Sequence, residues 1–430
     1  MLDTLLYVLG ILIFLLGIAL SVGLHELGHY LPAKRFGVQV RQFMVGFGPT
    51  VFSRQRGETE FGIKAFPLGG YILMSGMYAP AKKPYRGLFA NWITEARKEI
   101  QEQESVEESR KFYQLSSWKK ITIMLGGPVM NLLLGVLLIV VSLSGIGTLQ
   151  NSLKVDQVYQ CLEVDAAGEC SPGAPLTPAV EAGLEPGDEV VAVNGQSVQS
   201  WSEVTELLSR QSGSQLTILR GGESKQLTIE PVFMERAVYD SLGNLQFDES
   251  GNPVSELTPV LGIRLQGVTK PVALDQAFLF AGSSMVAMAG FILELPVQVY
   301  QVVVSTLGFA ERDPLGAVSI VGVGQLAGEL TAADIGIDAK LASLLLLLGS
   351  LNLVLFVFNL VPLLPLDGGH VLGATYEGLK RGVSKRLRGI DPGPIDTAKA
   401  LPLAYLVWAF LITTGLLLIL ADLINPITLG

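Results

Sequence analysis

Between Asp3 and His25 the chain carries no acidic or basic residue, and almost every position is apolar. A helix needs about 20 such residues to cross the hydrocarbon layer of a bilayer. Four stretches are long enough. The first is Thr4 to Leu24. The second, ITIMLGGPVMNLLLGVLLIVVSLSGIGTL, follows Lys119-Lys120. The third, LASLLLLLGSLNLVLFVFNLVPLLPL, lies between Lys340 and Asp367. The fourth, ALPLAYLVWAFLITTGLLLILA, stops at Asp422. A signal peptide is the alternative for the first stretch. Such peptides carry basic residues before the apolar run, whereas here only the acidic Asp3 precedes it. A fifth region, 276–310, is also apolar, but Glu294 and Pro296 are expected to break it.

Composition agrees with several spans. Of 430 residues, 49% are hydrophobic and only 16% charged, with a mean hydropathy of +0.46. The net charge of −9 is unevenly spread. From 30 to 120 there are 15 Lys/Arg against 8 Asp/Glu; from 376 to 400, 6 against 3; from 149 to 270 the balance reverses to 7 against 17. Positive loops stay in the cytoplasm, so four spans place both basic loops inside and the acidic block outside. A fifth full crossing would put the Lys380–Arg388 cluster outside. Region 276–310 is therefore expected to form helices lying on or dipping into the outer interface. There is no basic tail, so nucleic acid is not an expected partner. Cys161 and Cys170 lie close together in the acidic block, where an oxidising compartment would allow a local disulfide.

Residues 155–235 have a different rhythm of short alternating segments and Gly/Pro turns. Ala182-Gly183-Leu184 leads to Gly187-Asp188, then to a strand at Glu189–Val193 and the turn Asn194-Gly195. SWSEVTELLSRQ follows with a serine N-cap and helical spacing. SQLTILRGGESKQLTIEPV reads as a hairpin about Gly221-Gly222. This order resembles a circularly permuted bacterial PDZ domain. The resemblance implies a groove that takes an extended peptide as an added strand.

The chemistry sits at the end of the first span. The chain has three histidines, His25, His29 and His370, and the first two flank Glu26 as H-E-x-x-H. On a helix, positions four apart share a face, so both imidazoles reach one cation with Glu26 beside it as general base. Ionisable groups inside a membrane are costly and mark function. A catalytic zinc takes three protein ligands. Asp367, the only acid at the end of the third span, is the expected third ligand. The first and third spans run the same way, which brings their cytoplasmic ends to one depth. His370 is a rival ligand, with a helix-end or supporting role preferred.

These motifs together resemble the site-2 proteases, intramembrane zinc metalloproteases whose bacterial members, such as the regulator of sigma-E protease, cut membrane-spanning anti-sigma factors. His25-Glu26-x-x-His29 matches the family's first motif. Asn359-x-x-Pro362 through Leu366-Asp367-Gly368 matches the second, in which the Asp is a zinc ligand. VGFGP at 45–49 and PLGGY at 67–71 match a membrane-associated β-hairpin held to pair with the substrate strand, and Gly127-Pro128-x-x-Asn131 matches the second span. The resemblance implies Zn2+ on His25, His29 and Asp367, Glu26 as the catalytic base, and substrate contacts at Asn359, Gly46, Phe47, Gly69 and Gly70. Asn359 is equally suited to a helix–helix hydrogen bond, and Gly126-Gly127-Pro128 with Asn131 are expected to serve packing. Only one PDZ segment is visible where some relatives carry two. Gly316-Ala317-Val318-Ser319 stands where Gly-Pro before Ser is common.

The expected fold is a polytopic α-helical membrane protein with four transmembrane helices, a cytoplasm-side membrane-associated β-hairpin and one extracytoplasmic α+β PDZ domain. Its expected parts are a first catalytic membrane half at 1–154, with the hairpin at 43–75; the PDZ domain at 155–235; an extracytoplasmic connector with interfacial helices at 236–335; and a second catalytic membrane half at 336–430. The expected site is the plasma membrane, with the active site near its cytoplasmic face. The expected partners are a membrane-spanning, anti-sigma-like substrate already cut once by another protease, and a peptide bound by the PDZ domain. A signal-peptide-remnant peptidase and a non-catalytic PDZ scaffold are the competing readings.

Overall fold

The computed structural model describes residues 2–80, 89–91, 93–94, 107–162, 170–171, 173–210, 213–238, 254–310, 312–313 and 316–427. Parts of the loop after the hairpin, of the expected PDZ segment and of the expected connector lie outside these residues. The chain divides into two compact units, one made of Met1–Gly145 with Val272–Gly430, the other of Ile146–Pro271.

The first unit is helical. Helix α1 spans Leu2–Arg35. It continues past the apolar run through His25–Leu31 and takes Pro32 into its last turn, where Lys34 and Arg35 complement the C-terminal dipole. The chain then forms strands β1, Val40–Arg56, and β2, Thr59–Met74. These are bent, and the hairpin folds back on itself. Gln42–Val45 pair with Glu60–Ile63 on one side and with Gly70–Leu73 on the other. The result is a small sheet whose outer rows are residues 52–56 and 70–74. Glu58 at its tip is ion-paired with Lys34 and Arg110.

Helix α2, Ser117–Val140, continues through a π-helical turn to Ile146. It meets α1 through glycine: a Cβ on Gly28 would lie 2.2 Å from the Gly126 carbonyl oxygen, and one on Gly126 only 2.0 Å from that of Gly28. Only bare backbones pack this closely, as is common between membrane helices.

The acidic unit follows in the chain. Its strands are β3, Thr148–Val158; β4, Glu189–Val193; β5, Gln196–Ser197; β6, Ser214–Arg220; β7, Glu223–Ile229; β8, Val232–Ala237; β9, Ser255–Val260; and β10, Ile263–Lys270. The main sheet has the order β10-β3-β4-β6-β7 with β5 beside β4, while β8 and β9 form a separate pair. Two short helices, α3 at Pro178–Ala182 and α4 at Trp201–Ser209, are capped by Thr177 and Ser200, whose side chains accept from Val180 N–H and Glu203 N–H. The Asn194-Gly195 turn has φ of 52° and 78°, the left-handed values such a tight turn requires. Val190, Val193, Val204, Leu208, Leu216 and Ile218 make a dry core. Cys161 and Cys170 form a disulfide.

Asp188, fully buried, is held by a two-point contact from Arg220, whose Nε and Nη2 lie 2.8 Å from its oxygens. Burial pushes the Asp188 carboxyl up. Arg220 and the Glu185 N–H more than offset this, and the group titrates below the usual carboxylate range. A carboxyl lowered in this way stabilises the fold fully above about pH 4, and the contribution is lost as pH falls through the folded value. Asp188→Asn is expected to cost about 3 kcal/mol, as for breaking a buried pair. Proteolysis of the full-length protein in rising urea should then nick 146–271 earlier at pH 7, with the gap closing below about pH 4.

Back in the first unit, helix α5 spans Leu274–Thr306 without interruption. Here the expectation of a break at Glu294 and Pro296 is corrected. The surrounding apolar residues favour helix on both sides, and membrane-type helices tolerate a single proline. Helix α6 runs Ile320–Ala332, with Ser319 as its N-cap. Helix α7, Ile337–Asn359, stops before the expected span end. Pro362 and Pro365 lack an N–H and disfavour helix in the residues before them. The chain turns and restarts as α8, Asp367–Arg388. Helix α9, Leu401–Ile424, is the last described helix. Among the described residues five helices are long and apolar enough to cross a membrane: α1, α2, α5, α7 and α9. Phe14 and Ile18 of α1 pack with Ala327 and Leu344, and Asn352 of α7 donates to Ser21 of α1 at 3.0 Å. Residues far apart in sequence thus form one helical body.

Candidate metal centre

Three side chains from two distant segments converge. His25 and His29 lie on one face of α1, with Nε2 atoms 3.2 Å apart. Asp367, the first residue of α8, places Oδ2 3.3 Å from each of those nitrogens. Among the described residues this is the only such group of three potential ligands. Glu26 and His29 are buried, and His25 and Asp367 are half-buried.

The local chain explains the arrival of Asp367. A Cβ on Gly368 would lie 2.4 Å from the Leu360 and Val361 carbonyl oxygens, and one on Gly369 2.5 Å from Leu364 N. The two glycines let α8 start hard against the turn that leaves α7. A buried ion pair then pins α8 to α2: Lys120 Nζ lies 2.8 and 2.9 Å from the Glu377 oxygens. Arg381 and the Ile395 N–H complete the surroundings of Glu377.

The donor set fits a metal. Asp367 Oδ2 is buried without a hydrogen-bond partner, and the two Nε2 atoms face it and each other. The Ile123 carbonyl accepts from His29 Nδ1 at 2.8 Å. A carbonyl can only accept, so Nδ1 carries a proton, and in the neutral imidazole Nε2 then keeps the lone pair a metal needs. Donors at the ~2.0–2.1 Å bond lengths of tetrahedral zinc lie roughly 3.3 Å from one another. The observed spacings of 3.2 and 3.3 Å match that edge. Gly127 keeps the space open, since a Cβ there would lie 2.2 Å from His29 Nε2.

The other expected residues fall into two sets. Gly70 brings the outer row of the small sheet onto α1, where a Cβ would lie 2.9 Å from Glu26 Cγ. Gly69, at φ 154°, lies under Phe47, whose ring leaves only 2.2 Å for a Cβ. Phe47 in turn stacks on Tyr71 with centroids 6.5 Å apart. Gly46 is at the bend of β1, φ 94°. Asn359 ends α7, half-buried, and His370 lies one turn into α8; neither belongs to the converging three.

Asn131 corrects an expectation. Rather than serving packing alone, its buried amide lies 3.0 Å from His25 Nδ1, and its Oδ1 has no partner. The sequence signal was an isolated amide in an otherwise apolar run, which is costly unless paired.

Residues 13–390 match the profile of peptidase family M50. The zinc metalloprotease Rip1 of Mycobacterium bovis is 31% identical over 432 residues, covering 98% of this chain and 99% of the relative. Rip1 of Mycolicibacterium smegmatis is 29% identical, covering 98% of each. The metalloprotease MmpA of Caulobacter vibrioides is 26% identical, covering 86% of each. The chain belongs to peptidase family M50.

Proposed function

We propose that this chain is an intramembrane zinc metalloprotease that hydrolyses a peptide bond within or near a membrane-spanning segment of a protein substrate. The observation that carries the proposal is the convergence of His25, His29 and Asp367 at metal-ligand spacing beside Glu26, on helices built for lipid. His25 Nε2, His29 Nε2 and Asp367 Oδ2 would hold the ion. When bound, zinc supplies Lewis acidity, acidifying a water and polarising a carbonyl.

The chain's own residues supply the rest. Glu26 takes the proton of the attacking water and passes it to the departing amine. Ile123 and Asn131 fix the two imidazoles from behind. A metal on His25 Nε2 requires the proton on Nδ1, so Asn131 turns Oδ1 towards it, which gives that oxygen its partner. The row Gly70–Met74 is an outer row of its sheet and touches α1 at Glu26. A substrate opened from its helix pairs with this row and lies extended across the site. This answers the main obstacle to cutting a membrane helix, whose peptide bonds are otherwise hydrogen-bonded internally. Phe47, Gly46 and Asn359 line or steady that strand.

We assign four crossings to α1, α2, α7 and α9. Helix α5 dips into the helical body from the outer interface without crossing, with Ala277 and Ala281 beside Ile139 and Leu143 and Ile292, Leu295 and Pro296 beside Leu366, because a fifth crossing would expel the basic Lys380–Arg388 cluster. The Cys161–Cys170 disulfide supports an oxidising, extracytoplasmic place for 146–271. That unit carries the PDZ-like domain, whose groove takes a peptide. Anti-sigma-like proteins, trimmed first by another protease, are the substrate class. A thiol at Gly393→Cys should react with an impermeant reagent in inverted vesicles and not in intact cells; the reverse result removes the four-crossing assignment. The function is tested by stripping metal from the purified protein with a chelator. Cleavage of a single-span substrate should stop, and stoichiometric zinc should restore it. Undiminished cleavage after complete metal removal would refute the proposal.

A further inference from the structure

Helix α8 carries a feature that proteolysis does not use. Leu372, Tyr376, Leu379, Val383 and Leu387 recur at spacings of three and four, and all are between 53% and 77% exposed. They form one stripe along the helix. The opposite side faces the protein: Ala374 and Glu377 are buried, and a Cβ on Gly378 would lie 3.1 Å from Ser117. Arg381 and Lys385 are drawn to Asp391. At 3.6 residues per turn, Lys380 and Arg386 lie about 60° to either side of the stripe. The only acids in α8 are Asp367 and the ion-paired Glu377.

One point of α8 is placed independently, where Gly378 meets Ser117. Ser117 begins α2, and next to it Trp118 is exposed and packs edge-on against Phe36. Lys119 lies over both rings. Aromatic residues beside lysine at the start of an apolar run are the pattern of a membrane–water boundary. An apolar stripe between two basic residues at that boundary suits a lipid surface of negative charge.

We propose that α8 is a membrane-surface helix: its Leu372–Leu387 stripe sinks into the cytoplasmic leaflet, and Lys380 and Arg386 bind anionic lipid headgroups. The cytoplasmic side rests on the four-crossing assignment above. Because α8 begins at Asp367, its seat in the lipid fixes the height of that carboxylate against His25 and His29.

The test uses the full-length protein in lipid nanodiscs, with an environment-sensitive fluorophore on Val383→Cys; the native cysteines are joined to each other and do not compete. Brominated lipids quench the probe when they are adjacent. In an equal mixture of phosphatidylcholine and phosphatidylglycerol, brominated phosphatidylglycerol should quench more strongly than brominated phosphatidylcholine. The local enrichment should fall by about fivefold for each basic residue removed, in Lys380→Gln and Arg386→Gln. Quenching by aqueous iodide without quenching by bromolipid would overturn the proposal. So would equal quenching by the two lipids, or a probe shielded from both because two copies pack on this face. None of these readings requires cleavage, so an inactive protein still tests α8, and the thiol at position 393 reports sidedness separately.

Discussion

Glu26→Gln should abolish cleavage while leaving the metal in place. The amide is nearly isosteric with the carboxylate and preserves the packing of this buried residue against Gly70. It cannot take a proton at neutral pH. General-base catalysis contributes about 10²–10⁴-fold, so the rate should fall at least that far. Glu26 is not among the three converging donors, and zinc content should stay at one per chain. The pairing of lost rate with retained metal separates a base from a ligand. If Glu26→Gln also lost the ion, the assignment of roles along H-E-x-x-H would have to change. A non-catalytic scaffold would not depend on Glu26 at all.

Asp367→Asn should instead lose the ion. The carboxylate is the sole anionic donor of the three, and its Oδ2 faces both Nε2 atoms at 3.3 Å. An amide oxygen replaces it in shape but carries no charge. Losing an outer partner of a metal ligand typically costs about 10–100-fold in affinity. Loss of the ligand itself should exceed that range, with cleavage falling in step at low zinc. Competition with a fluorescent chelator measures the affinity. His29→Ala should act in the same direction. Asn131→Ala, which removes support behind His25 and no ligand, should stay within the 10–100-fold range.

Much of the site was legible in the sequence because its residues break strong local patterns. Two histidines and a glutamate closing a run of hydrocarbon are conspicuous, as is a lone aspartate beside two glycines at the end of another. Counting crossings gave a reason to expect His25, His29 and Asp367 near one another, and in the structure the three side chains converge. Contacts made by backbone left no such trace. The approach of α1 to α2 depends on Gly28 and Gly126 having no side chains, which no periodicity reports. The folding-back of β1 and β2 was hidden for the same reason, because Gly46 and Gly69 permit the bend without announcing it. Pro296 misled in the opposite direction. Proline lowers the helical preference of one turn, but α5 has 33 residues of otherwise favourable sequence. The helical restart at Asp367 was blurred because the apolar run continues through Leu366, and composition alone does not register that Pro362 and Pro365 stop α7.

The central claim is that one zinc ion is gripped by two imidazoles of α1 and one carboxylate at the start of α8. Zinc-edge X-ray absorption on the purified full-length protein, set beside Asp367→Asn, tests it most directly. The account predicts stoichiometric zinc with nitrogen and oxygen donors at about 2.0–2.1 Å and a two-imidazole signature, together with loss or rearrangement of that shell in the variant. Absence of stoichiometric zinc, or a spectrum unchanged by Asp367→Asn, would contradict it.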